Sequence, residues 1–102
     1  MEPQVVRDAA RAVLTIGGDL VAATVPDLRP RLRALVQEGV TDLEFDLTGV
    51  VMVASSGIGL IMAAFNSLQK AGGNIRVVHA SPEIRQLFHS MRLHQHFEIS
   101  ED

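Results

Sequence analysis

The chain has 102 residues, 47% of them hydrophobic and 21% charged, which is the usage of one compact globular domain with one hydrophobic core. Nine Lys and Arg against twelve Asp and Glu leave a formal charge of −3, and with no Trp or Tyr and four Phe the chain neither wraps nucleic acid nor offers bases much to stack on. Cysteine is absent, which excludes disulfides, a cysteine nucleophile and a thiolate metal site. The opening MEPQVVRDAA has neither a basic start nor an apolar stretch, and no window reaches the length of a membrane span. The expectation is a cytoplasmic domain with no direct membrane insertion.

Residues from about Val5 to Ile16 read as a strand pair: Val5-Val6 is either a short strand or a frayed end, and Ala12 to Ile16 is stronger, ended by Gly17-Gly18-Asp19. From Ala22 to Gln37 the residues Val25, Leu28, Leu32 and Leu35 fall on one helical stripe. Arg29, Arg31 and Arg33 lie mostly off it, as a solvated face or a stripe that meets a partner. Thr24 or Asp27 is placed to cap this helix, and Pro26 suits its first turn. Pro30 belongs in the first turn only if Asp27 caps; otherwise it removes a hydrogen bond and kinks the helix.

At Thr41 the pattern changes to period two, with Leu43, Phe45 and Leu47 on one side and Glu44, Asp46 and Thr48 on the other. Gly49 interrupts this strand, and the apolar run Val50-Val51-Met52-Val53 leads into Ala54-Ser55-Ser56-Gly57. Ile58, Ile61, Phe65 and Leu68, with Met62 beside them, then mark a helix closed by Gly72-Gly73. Ile75 to Val78 is a short strand, and Ser81-Pro82-Glu83 is a strong helix start before the stripe Ile84, Leu87, Phe88 and Met91. Leu93 to Ile99 reads as a last strand with Phe97 and Ile99 on one side, followed by a polar tail. Helices following strands at this rhythm predict a largely parallel sheet, made mixed by the opening hairpin.

The chemistry-bearing stretch is Ser55-Ser56-Gly57, where a loop turns into a helix. A serine there serves either as a helix cap or as a phosphoacceptor whose new charge meets free amides and the positive helix end. Gly57 and Gly59 reduce bulk, so that a partner can approach the backbone closely. No GxGxxG, no GxxxxGK[ST] and no GxSxG elbow is present, and the sole lysine, Lys70, lies at the far end of the helix. Asp19 and Asp46 end strands and are placed to approach the serine loop. His94 and His96 would share a strand face, but without cysteine or a carboxylate partner they read as surface residues rather than metal ligands. No complete catalytic set is visible, and no cofactor is implied.

Together these stretches resemble the STAS domain, the family of the bacterial anti-sigma factor antagonists. Gly18-Asp19-Leu20 is similar to the family's Gly-Glu-Leu-Asp turn, and Asp46-Leu47-Thr48-Gly49-Val50 to its Asp-Leu-Ser-x-Val strand end. Ser55-Ser56-Gly57-Ile58-Gly59 is similar to the Asp-Ser-Ser-Gly-Leu-Gly signature, and Gly72-Gly73, Ser81-Pro82, Leu87-Phe88 and Leu93 to its C-terminal half. The resemblance implies an α/β fold: a single small domain over residues 1–102, with a mixed four- to five-stranded sheet and helices mainly on one side. It implies a regulatory, non-enzymatic protein that binds a GHKL-type serine kinase/anti-sigma factor through Asp19, Ser55, Ser56, Gly57, Ile58, Gly59 and Met62. Ser56 would be the phosphoacceptor, ATP would belong to the kinase, and a PP2C-type phosphatase would reverse the reaction. The alternative is a constitutive, unphosphorylated adaptor subunit of a transporter or signalling complex. Two departures stand out: the signature's leading aspartate is Ala54 here, and the aspartate ending the Gly-Glu-Leu-Asp turn is Val21. Each removes a carboxylate that would either repel a phosphate or orient the group that accepts it.

Overall fold

In the computed structural model, which describes residues 3–100, the period-two segments become the strands β2 (Arg11–Thr15), β3 (Asp42–Asp46) and β4 (Asn74–Val78). On one face of these strands Ala12, Leu14, Leu43, Phe45, Ile75 and Val77 are buried, while the other face carries Arg11, Glu44, Asp46 and Arg76. The sheet has five strands in chain order, β1 to β5, with β1 (Gln4–Asp8) antiparallel to β2 and every later pair parallel. Right-handed crossovers that always step in the same direction place their helices on one face. Helices α1 (Val25–Gln37), α2 (Ser55–Lys70) and α3 (Pro82–Ser90) accordingly bury Leu28, Ile61, Leu68 and Phe88 in one core with the sheet's apolar face. The core has no buried polar or charged residue among the described residues.

The first strand is longer than its sequence suggests. All five of its residues are exposed, so it carries no burial pattern to read; pairing from Gln4–Thr15 to Asp8–Arg11 defines it instead. Arg7 ties it to the end of α1, reaching the Glu38 carboxylate and the Glu38 carbonyl, each at 2.6 Å. At the other end of the chain the expected strand from Leu93 to Ile99 is corrected: Leu93–Gln95 is a 3₁₀ turn, and only Glu98–Ile99, β5, pairs with β4. Phe97 still enters the core, but from the turn. Met91 leaves the predicted stripe as well, because it is the residue that ends α3 and is 47% exposed.

Helix α1 starts at Val25, the first residue of its apolar stripe and three residues after the expected start at Ala22, and neither expected cap acts. Thr24 sits at the cap position, but its hydroxyl turns backwards to the Asp19 carbonyl at 2.6 Å and accepts from the Val21 amide at 3.1 Å. Asp27 lies in the first turn, so Pro30 falls inside the helix and removes the bond that would run to the Pro26 carbonyl. The closing Gly72-Gly73 reading holds in detail. Gly72, at φ +80°, donates to the Gln69 carbonyl and Gly73 to that of Leu68, the paired bonds of a Schellman end. Gly73 has a further constraint: a Cβ there would lie 1.9 Å from the Thr41 carbonyl oxygen.

Candidate functional site

Two loops meet beyond the C-terminal ends of β2 and β3, where open α/β sheets hold their ligands. The first runs from Gly17 to Thr24 and the second from Leu47 to Ala54. The Asp19 carboxylate accepts from the amides of both Val51 and Met52, at 3.2 and 3.1 Å. Leu20 then continues the junction: its amide donates to the Met52 carbonyl at 2.9 Å, its carbonyl accepts from Ala54 at 2.8 Å, and it bridges Val53 as a lone parallel pair. Leu20 itself is fully buried. The two loops are thereby one rigid piece, and Ala54 delivers the chain into α2 at a fixed angle.

That rigidity explains the glycine of Ser55-Ser56-Gly57. A Cβ on Gly57 would stand 2.6 Å from the Leu20 carbonyl oxygen and 2.7 Å from the Leu20 Cβ, closer than atoms can sit. Gly57 is therefore an internal contact, not an opening for a partner, and Ile58 beside it is also buried. Both are expected partner-binding residues; in the structure both are buried, and Gly57 seats the serine turn against Leu20. Gly59 is exposed with nothing within 4 Å of a Cβ, and with Ser55 and the half-buried Met62 it lies on the outward side of α2. This side stays shallow, so a second protein can lie close along it.

The capping reading of the serines does not hold. Ala54 is the cap residue, in extended conformation and without a side-chain acceptor, and Ser55 and Ser56 are the first two residues of the helix. Ser55 is exposed and Ser56 half-buried, and neither hydroxyl has a hydrogen-bond partner among the described residues. The amides of Gly57 and Ile58 return to the Ala54 carbonyl, while those of Ser55 and Ser56 have no intrahelical acceptor. What the chain lacks at Ala54 is thus a cap acceptor for the first turn, more than a charge beside a hydroxyl. Val21, the other departure, is half-buried in the turn closed by Thr24.

Asp46 is held elsewhere. One of its carboxylate oxygens accepts from the Thr48 hydroxyl at 2.6 Å, the Thr48 amide at 3.0 Å and pairs with His79 Nδ1 at 3.1 Å. Burial acts to raise its pKa, but the hydrogen bonds from Thr48 and His79 outweigh it and hold the carboxyl below its ordinary value of 3.8. Residues 12–28 and 34–69, which build both loops and nearly all of α2, contain no Lys or Arg. A concavity of about 620 Å³ opens at the opposite ends of the strands, lined by Arg11, Asp42 and Asn74 among others, and includes none of Asp19, Asp46, Ser55 or Ser56. His94 and His96 do not share a strand face. His94 stacks on His89 at 4.4 Å and His96 leans on Phe65, and no metal-holding group of three or more ligands occurs among the described residues.

Val51 and Met52 are the residues that pattern reading passes over. In the run Val50 to Val53 only Val50 is fully buried, while Val51 is 81% and Met52 56% exposed. The signal available was Gly49, at φ +78°, which ends the strand and with it the presumption of burial.

The chain is 33% identical over 73 residues to the anti-sigma-B factor antagonist of Staphylococcus epidermidis, covering 72% of this chain and 68% of that one. An anti-sigma factor antagonist from Mycobacterium paratuberculosis superimposes with a TM-score of 0.85 at 25% identity, over 98% of this chain and 85% of the other. SpoIIAA, a Bacillus cell fate determinant, shares the fold in its phosphorylated form with a TM-score of 0.78 at 20% identity, over 98% of this chain and 92% of its own. The STAS domain model matches residues 2–102. With a mixed five-stranded sheet that carries its helices on one face, the chain belongs to the STAS domain family.

Proposed function

We propose that this protein is a cytoplasmic regulatory protein of the anti-sigma factor antagonist type, not an enzyme, and that phosphorylation of Ser56 switches its affinity for a GHKL-type serine kinase/anti-sigma factor. The observation that carries this reading is the placement of Ser56: a hydroxyl without a partner, in the first turn of α2, on a turn whose backbone is locked to a second loop. A kinase needs an acceptor on a fixed backbone with its oxygen unengaged, and Ser56 has both. In the transfer, Ser56 Oγ bonds to the γ-phosphorus of the kinase's ATP, the bond to the ADP oxygen breaks, and the hydroxyl proton leaves to the kinase or to water. The product carries about −1.5 to −2 charge where the surrounding segments supply carboxylates and no cation.

The resemblance to SpoIIAA in a phosphorylated form and to an anti-sigma-B factor antagonist supports the same direction. A PP2C-type phosphatase would hydrolyse the ester and reset the protein. No helix of the described residues is long and apolar enough to cross a membrane. The test is intact mass after incubation with ATP and a GHKL-type serine kinase from the same genome, repeated with Ser56→Ala. One added phosphate that disappears in the variant supports the switch. Stable binding with no phosphate, from a kinase active on a control substrate, replaces it with a constitutive adaptor.

A further inference from the structure

We infer that Val51 and Met52 are the apolar anchor by which the anti-sigma partner grips the serine turn, and that Asp19 is the positioning residue that presents them. The inference rests on the function proposed above and names its contact. Large apolar side chains left exposed in the described residues are few: Val5 and Val6 on the edge hairpin, Met91 at the end of α3, and the adjacent pair Val51 and Met52. The last pair stands in the loop that runs directly into Ser55.

Exposure here does not come from slack chain. Both amides of the pair are held by one Asp19 oxygen, the Met52 carbonyl is held by the Leu20 amide, and the Ala54 amide donates to the Leu20 carbonyl on the far side of the Leu20–Val53 bridge. A loop tied at each step could turn these side chains inward only by breaking those bonds. Apolar groups fixed outward lose little further freedom on docking, which is the condition for a strong anchor. Methionine adds a shape that adapts to the recess it enters. Charge narrows the occupant: residues 12–28 and 34–69, which build both loops and nearly all of α2, contain no Lys or Arg, so the loop that carries the anchor offers an anionic membrane or a nucleic acid no cation of its own. The occupant is a protein with an apolar recess beside its phosphoryl-transfer site, since the anchor stands three and four residues before Ser55 in the loop that leads into it.

The test is calorimetric titration of the purified kinase, without ATP, by wild type, Met52→Ala, Val51→Ala/Met52→Ala, Asp19→Ala, Asp19→Asn and the remote control Met91→Ala. All altered side chains except Asp19 are exposed, and far-UV circular dichroism confirms folding. Met52→Ala should weaken Kd on the order of 30-fold, the double variant further, and Met91→Ala not at all. Asp19→Ala should weaken binding about tenfold and speed hydrogen exchange at the Val51 and Met52 amides, while Asp19→Asn, whose side-chain oxygen still accepts, should restore both. Binding by the double variant within about threefold of wild type overturns the anchor. Loss of binding in Asp19→Asn with the two amides still protected overturns the positioning role, because the carboxylate would then meet the partner itself. Failure of wild type to bind sinks the functional reading on which the inference stands, and is distinct from either result.

Discussion

Ala54→Asp should stabilise this protein. Ala54 occupies the cap position of α2 in the extended conformation that cap residues adopt, with φ −91° and ψ 173°, and its methyl group accepts nothing. The first turn contains no acidic residue, and the Ser56 amide, two positions beyond the cap, has no intrahelical acceptor. An aspartate supplies two terms. Its oxygen takes a first-turn amide, worth about 1 kcal/mol relative to alanine. Its charge at the positive end of the helix dipole adds about 0.3–1 kcal/mol at low salt. The sum is about 1–2 kcal/mol, and for a domain near 100 residues each kcal/mol raises the melting temperature by about 4–8 °C. With no Trp or Tyr in the chain, urea and thermal unfolding must be followed by far-UV circular dichroism rather than indole fluorescence. Ala54→Asn separates the terms, since it caps without charge: it should gain about 1 kcal/mol independent of salt. The excess of Ala54→Asp over Ala54→Asn should shrink as salt rises from low to molar concentration. If neither variant exceeds wild type, the first-turn amides are already satisfied in solution, and the description of Ala54 as an empty cap is refuted.

Two further outcomes follow from packing and charge. Gly57→Ala places a methyl 2.6 Å from the Leu20 carbonyl oxygen and 2.7 Å from its Cβ, both on a fully buried residue, so the loops must part. A loss of about 1–3 kcal/mol in urea unfolding is expected, together with faster exchange at the Ala54 amide; a stability equal to wild type would refute the close contact. Asp46 gives a pH dependence whose sign is set by its depressed folded-state pKa. Its contribution is present above the unfolded value of about 3.8 and is lost as pH falls through the folded value below it. Stability in wild type should therefore decline across that acid window more steeply than in Asp46→Asn, measured by urea midpoints from pH 5 downward; parallel profiles would show that Thr48 and His79 do not hold the carboxylate.

The parts of the fold legible in the sequence are those where burial imposes a period. Leu43 and Phe45 alternate with charge because one sheet face is covered and the other open, and Ile58, Ile61, Phe65 and Leu68 return every three or four residues because α2 buries one side. Ser81 announces α3 and does cap it, accepting from the Ile84 amide at 3.2 Å. Where burial is absent the pattern is silent. Strand β1 is exposed throughout, and hairpin pairing and Arg7 define it rather than any apolar face. The site divides in the same way. A strand-to-helix turn with two serines locates it, but the contact that shapes it joins Leu20 to Gly57, far apart in the chain, and no local pattern encodes a distance of that kind. Val51 and Met52 mislead for a related reason: an apolar run reads as core unless something else fixes the backbone, and here a distant carboxylate fixes it.

The same architecture bears on how a phosphate at Ser56 would act. A charge can alter a partner's affinity either by moving the fold between two arrangements or by changing the contact surface directly. The first route needs a bistable element, and nothing beneath the turn is built that way. Leu20 and Ile61 are fully buried, the core holds no buried polar or charged residue to be re-paired among the described residues, and Gly57 leaves no slack against Leu20. No cation in residues 12–28 or 34–69 stands ready to swing toward a phosphate and carry a loop with it. The added charge would meet the open amides of Ser55 and Ser56, which exist before modification and require no rearrangement. At physiological salt its field fades over about 8 Å, so its main effect falls on whatever protein is pressed against the turn. A rigid frame with an unengaged hydroxyl therefore favours a switch that is read at the interface, in which the proposed anchor at Val51 and Met52 would supply affinity and the proposed phosphate at Ser56 would decide whether it can be used.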